Sequence, residues 1–306
     1  MGRVPSPTLV QEARHARHVK NLRGGPGDFG SRIARAAAIE PSSATSGPIA
    51  FLSSVIDHQR GRAATAPIQS AAAEVGAASV ANRLVDRFPL LDLEASVDTV
   101  VEEISTAVAA LGRPLAPGAL HDAGEDLAGR SVPGRQELVE TWLDDSTLLD
   151  PRFAAWISIA AGPVLELAAA SVPPLAKEEW SGPACPVCGG WPQVSVIREE
   201  SGEFMAGSPR YLVCGRCASW WSFARATCPA CGEDDSRKLG AFSPEGDRCV
   251  RIDACDTCRV YVKTFDLREP GARDIVPLVD DVATLTLDVW AHEKGLQRPG
   301  VSLAGV

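Results

Sequence analysis

The chain has 306 residues, 45% of them hydrophobic and 23% charged, with a formal net charge of −9. That length leaves room for two or three domains around a sizeable core, and the composition is that of an ordinary globular protein. The acidic balance holds even in the cysteine-rich stretch 181–306, where 14 Lys and Arg face 17 Asp and Glu, which argues against a phosphate-binding face and against nucleic acid as a partner.

Residues 1–45 read as a basic, flexible arm. Their first 35 positions hold seven Lys and Arg against two Asp and Glu and include the turn-rich run RGGPGDFG. The N-terminus lacks an apolar core of signal-peptide length, so a cytoplasmic location is expected. His15 and His18 could share a helix face there, but no carboxylate cluster accompanies them and the other histidines, His58, His121 and His292, are dispersed.

From 46 to 178 the sequence is rich in Ala and Leu, holds no cysteine, and predicts a helical domain. Ile49, Phe51, Leu52, Val55 and Ile56 share one helical face over 47–62. Ser96 opens a second helix carrying Val100, Val101 and Ile104 and ending near Gly112; a third begins at Gln136 and runs through Trp142. Asp150-Pro151 starts a long apolar segment, Phe153 to Ala176, whose length approaches a membrane span. Gly162-Pro163 and Glu166 interrupt it and Ala dominates it, so a buried central helix kinked at Pro163 is expected, with no membrane span.

The next residues carry the chemistry. Four Cys-x-x-Cys pairs hold eight of the nine cysteines: Cys185 and Cys188, Cys214 and Cys217, Cys228 and Cys231, Cys255 and Cys258. Two residues between cysteines let both sulfurs of a tight turn face one ion, and two such turns complete a tetrahedral four-sulfur site. The spacing divides the stretch into two tandem zinc-ribbon modules, 179–224 and 225–274, with strand-like runs at 193–197 and 210–213 in the first and at 248–252 and 260–264 in the second. Units this small bury little core, so the metal is expected to supply most of their folding free energy. All-sulfur tetrahedral sites accept iron or zinc, and a closed four-sulfur shell leaves no position for a hydrolytic water. With no phosphate loop and no GxSxG motif either, the chain is not expected to be an enzyme. Cys249 lies outside the pairs and reads as a partly buried thiol in a ribbon strand. Residues 275–306 predict a terminal helix and tail, with Asp280 and Asp281 near a helix start, where their charge suits the dipole. As adjacent residues they diverge, and a metal pair made from them is not expected.

Together these stretches resemble the formate dehydrogenase accessory (FdhE) proteins. The resemblance rests on CPVCGGWPQVSVI at 185–197, RYLVCGRCASWWSFARATCPACG at 210–232, CDTCRVYVK at 255–263 and DDVATLTLD at 280–288. It implies an α+β fold: a helical N-terminal domain, two tandem rubredoxin-like metal modules and a C-terminal helix. It also implies a cytoplasmic bacterial maturation factor that binds the catalytic subunit of a molybdenum formate dehydrogenase. By that pattern the eight paired cysteines are metal ligands for two iron or zinc ions, while Trp221, Arg225, Asp280, Asp281 and Asp288 are pattern positions with no assigned role. Cys249 departs from the pattern, and so does the tail, where the family commonly has a Tyr near Leu296.

Overall fold

A computed structural model describes residues 23–40, 42–113, 115–198, 208–269 and 274–302. The described helices before the first cysteine are α1 (Phe29–Ala38), α2 (Ser46–Ala63), α3 (Ala66–Gly76), α4 (Ser79–Leu84), α5 (Val97–Leu111), α6 (Gly118–Gly129), α7 (Val132–Asp145) and α8 (Pro151–Ala170). Asp150 starts α8 by accepting the Arg152 N–H at 2.9 Å, with Pro151 in the first turn, where its missing N–H costs nothing. Pro163 lies inside α8 without ending it. The helix is long and apolar enough to cross a membrane, but 78% of its most apolar window is buried. Its buried neighbours are α2, α3, α5, α6 and α7, which surround it and bury Trp156, Ile157, Ile159 and Leu165.

One boundary differs from the sequence reading. Phe29–Ala38, inside the stretch expected as an arm, is a helix that buries Phe29, Arg32 and Ala36. The turn-rich run before it is held in place by charge rather than by apolar contact. Arg32 makes two 2.7 Å bonds to the Glu166 carboxylate and also donates to the Gly24 and Gly25 carbonyls, and Gly27 N–H donates to the same carboxylate. Positions 1–22, with His15 and His18, lie outside the described residues.

The described strands are β1 (Pro192–Ile197), β2 (Arg210–Cys214), β3 (Trp220–Phe223), β4 (Leu239–Phe242), β5 (Val250–Cys255) and β6 (Tyr261–Asp266). Each module has the order knuckle, strand, strand, knuckle, strand. The two do not stand apart as separate ribbons: they join into one sheet of order β3-β2-β1-β6-β5-β4 through a parallel pairing of β1 with β6, Val194 opposite Lys263. Both central strands are buried along their whole length. The terminal segment forms two short helices, α9 (Pro277–Ala283) and α10 (Leu285–Glu293), rather than one. Val276 and Val279 pack with α1 and α2, while Ala291 and Leu296 pack on β5 and β6.

Removing one partner of a buried ion pair strands the other in a low-dielectric setting. Glu166→Ala is therefore expected to cost roughly 3–5 kcal/mol, read as a lower urea midpoint. The apolar double variant Arg32→Met/Glu166→Met is expected to recover most of that loss.

Candidate metal centres

The four knuckles share one local design. The first cysteine's carbonyl accepts the N–H four residues on: Gly189 to Cys185, Ala218 to Cys214, Gly232 to Cys228 and Arg259 to Cys255, at 2.8–3.2 Å. That closure puts the residue after each second cysteine in the left-handed region, at φ of 70°, 59°, 77° and 61°. Glycine accepts this freely; Ala218 and Arg259 are strained there. Backbone N–H groups turn toward sulfur, among them Arg216 to Cys214 Sγ at 3.3 Å and Ala230 to Cys228 Sγ at 3.4 Å.

These turns bring all eight paired cysteines into two groups of four. Within each group the sulfurs lie within 4.8 Å of one another. In the first, Cys185 and Cys217 are 3.7 Å apart and Cys188 and Cys214 3.5 Å; in the second, Cys228–Cys258 and Cys231–Cys255 are both 3.7 Å. Sulfurs bonded to one tetrahedral ion at ~2.3 Å sit about 3.8 Å apart, whereas a disulfide requires about 2.05 Å. The donor sets therefore fit four-coordinate metal ions. Gly190 adds to the fit, because a Cβ there would lie 3.1 Å from Cys214 Sγ and 3.0 Å from the Arg216 side chain. Burial pushes the Cys185 and Cys217 thiols well up. Cys214 is buried alike, yet hydrogen bonds from the neighbouring thiols pull it well down. Four buried sulfurs without a cation hold little negative charge; four thiolates there require one.

The two groups differ in setting. All four cysteines of the first are buried and belong to the same apolar cluster as Ile104, Trp142, Trp156 and Leu165 of the helical domain. Leu90 and Leu91 N–H groups bond the Pro186 and Val187 carbonyls inside the first knuckle, at 3.0 Å each. Arg216, between the second pair of cysteines, donates to the Trp142 and Leu143 carbonyls near the C-terminus of α7 and to Cys188 O, with its guanidinium over the Trp142 ring. The first module is thus seated in a large core shared with the helical domain. In the second group Cys231 is exposed and Cys258 half-buried.

The pattern positions occupy several places. Trp221 is buried in the helical-domain cluster and donates its Nε1–H to Gly182 O at 3.1 Å. Asp280 accepts the Val276 N–H at the start of α9 and a forked pair of bonds from Arg35 of α1. Asp281 and Asp288, wholly buried, both accept from Lys263 and Arg298, at 2.5–2.8 Å. Gln193 of β1 and Tyr261 of β6 complete the cluster through 2.6 and 2.7 Å bonds. Although burial alone would raise it, the Arg298 and Lys263 charges hold Asp281 well below the usual carboxylate range. The tail that departs from the pattern is thereby anchored: Leu296 is buried, Arg298 enters the ion cluster, and Tyr261 N–H bonds Gln297 O. Lys263, Arg298 and Gln193 were not singled out from sequence; a lysine on the same strand face as Tyr261, next to Val262, was the available signal. Arg225 is exposed beside the second group. Cys249 is half-buried outside both groups.

The sequence matches the family described as FdhE, central domain, over residues 184–225, and FdhE, C-terminal domain, over residues 226–304, so that the two matches meet between the modules and enclose all eight ligand positions. The cysteine-rich part of the chain, residues 184–304, matches the FdhE family. Curated relatives called Protein FdhE homolog include one from Aquifex aeolicus, 36% identical over 118 residues, and one from Shewanella oneidensis, 40% identical over 111. These alignments span 39% and 36% of this chain and only 40% and 34% of the relatives. The crystal structure of the FdhE protein from Pseudomonas aeruginosa has the same fold, with TM-score 0.64 over 92% of this chain and 98% of that one, at 22% identity. Over the helical domain the likeness is one of fold alone.

Serine replacements should separate the two centres. Cys185→Ser/Cys188→Ser is expected to lose one ion per chain and also to lower the melting temperature of the helical signal, because that centre lies in the helical core. Cys228→Ser/Cys231→Ser is expected to lose one ion and leave helical melting nearly unchanged. Metal analysis and far-ultraviolet dichroism on the same samples read both.

Proposed function

We propose that this chain is a cytoplasmic maturation factor that binds the catalytic subunit of a molybdenum formate dehydrogenase and supports its assembly or activation, without catalysing a reaction of its own. The observation that carries this reading is the pair of four-cysteine groups set in the FdhE framework. In it Cys185, Cys188, Cys214 and Cys217 hold one iron or zinc ion, and Cys228, Cys231, Cys255 and Cys258 hold the other. A bound ion would fix the knuckles and, as iron, would add one-electron chemistry. The chain's own residues do the rest. Arg216 locks the first knuckle to α7, the Lys263–Asp288 cluster locks the modules to α9, α10 and the tail, and the assembled sheet presents a rigid surface. Tagged protein is expected to co-purify with the formate dehydrogenase catalytic subunit, and deletion of the chain is expected to abolish formate oxidation in its host. Failure of both sinks the reading.

The exposure of Cys231 favours a second reading for the second centre, that of a rubredoxin-like electron carrier, since a buried thiolate shell exchanges electrons poorly with a partner. Anaerobic purification with zinc and iron counted per chain separates the two. Iron with a reducible thiolate band supports the carrier, whereas zinc in both centres and no colour leaves the centres as staples of an adaptor.

A further inference from the structure

Between β4, β5 and the knuckle at 228–231 lies a cleft of about 230 Å³. Cys228 and Cys255, two sulfurs of the second centre, line it, and apolar side chains of Pro229, Leu239, Val260 and Val262 make much of its wall. Three guanidinium groups, Arg210, Arg225 and Arg251, face a single lining carboxylate, Asp253.

Asp253 is already engaged. It accepts from Arg251 Nε at 2.7 Å and from Thr264 Oγ1 at 2.6 Å, and Arg251 is further neutralised by Asp266 at 3.2 Å. Arg210 is only 3% exposed and donates through Nε to Ser195 and through Nη1 to the Thr227 carbonyl. Its Nη2 makes no hydrogen bond; the nearest carboxylate oxygen is 4.0 Å away, on Asp253. Burial depresses the basicity of Arg210 despite the Asp253 charge, as expected of a cation short of counter-charge. Arg225, exposed at the cleft, has no hydrogen-bond or ion-pair partner among the described residues. A buried guanidinium with a spare donor face and a second, unpaired one beside it can grip an oxyanion from two sides.

We propose that this cleft binds a small carboxylate carried on a short apolar stem, held by Arg225 at the mouth and Arg210 Nη2 within, with the stem against Pro229, Leu239, Val260 and Val262. The volume lies below the ~300–1,000 Å³ of sites for drug-sized ligands, which limits the guest to a few carbons. The site gives Arg225, four residues after Trp221, a binding role that its exposed position otherwise lacks. It also places an anion against two sulfurs of the surface-facing centre.

The test uses the full-length, metal-loaded protein and butyrate as the probe, followed through the arginine side-chain Nε–H signals in NMR. Butyrate is expected to shift the Arg225 and Arg210 signals along a saturable curve, and the neutral isostere butyramide to leave them in place. Arg225→Gln, an exposed substitution, is expected to weaken butyrate about tenfold, the effect of losing one charged hydrogen bond. The absence of a saturable shift overturns the proposal and reduces the arginines to counter-ions of the thiolates. Equal response to butyramide, or unchanged butyrate affinity in Arg225→Gln, also overturns it. Displacement of butyrate by equimolar inorganic phosphate overturns the assigned ligand class, because phosphate has no stem for the apolar wall.

Discussion

Four sulfurs sit inside the hydrophobic core of the helical domain, and most of the molecule's organisation follows from how that position is made tolerable. A thiolate shell in apolar surroundings demands a cation at its centre, close backbone turns around it and walls that exclude water. The turns come from the knuckles, with Gly189 and Gly190 shaped to the sulfurs. The walls come from α5, α7 and α8, which share the cluster with Cys185, Cys188, Cys214 and Cys217. Arg216 then ties the knuckle to α7, so the centre joins two domains as much as it folds one.

The second shared element is made of charge. Lys263, Arg298, Asp281 and Asp288 balance two positive against two negative charges where water is excluded. Such a cluster adds little net stability compared with well-packed apolar residues, but each member requires the others to be in place. It draws on β6, α9, α10 and the tail, with Gln193 from the other module, and so specifies one arrangement of five segments. The Arg32–Glu166 pair does the same for the turn before α1.

The legibility of these features in the sequence follows their range. The two groups of four cysteines could be read because a Cys-x-x-Cys turn is local and its chemistry admits few alternatives. Helices α2, α5 and α8 announced themselves by apolar spacing and by Asp150-Pro151. Helix α1 did not, since glycine and charge surround it and its stabilising partner, Glu166, lies 134 residues away. The parallel pairing of β1 with β6 was equally hidden, because nothing in either strand names its neighbour. Asp281 and Asp288 were marked as pattern positions, yet their partners at 263 and 298 could be assigned only once the chain had folded. Strand β3 was missed because Trp220–Phe223 is four residues long and follows directly on a knuckle.

The order β3-β2-β1-β6-β5-β4 is a repetition by translation. The first strand of one module meets the third strand of the next, and both modules run the same way across the sheet. Unlike a two-fold pair, an arrangement of this kind has no built-in end: its outer strands, β3 and β4, are again a third and a first strand, the same two kinds that meet at the join. Copies of the chain could in principle continue the series edge to edge. Against such continuation stand the outer strands, four residues long where the joining strands are six, and the packing of Trp290 against Phe242 at the end of β4. Short edge strands and a covered strand end are features that discourage edge-to-edge pairing.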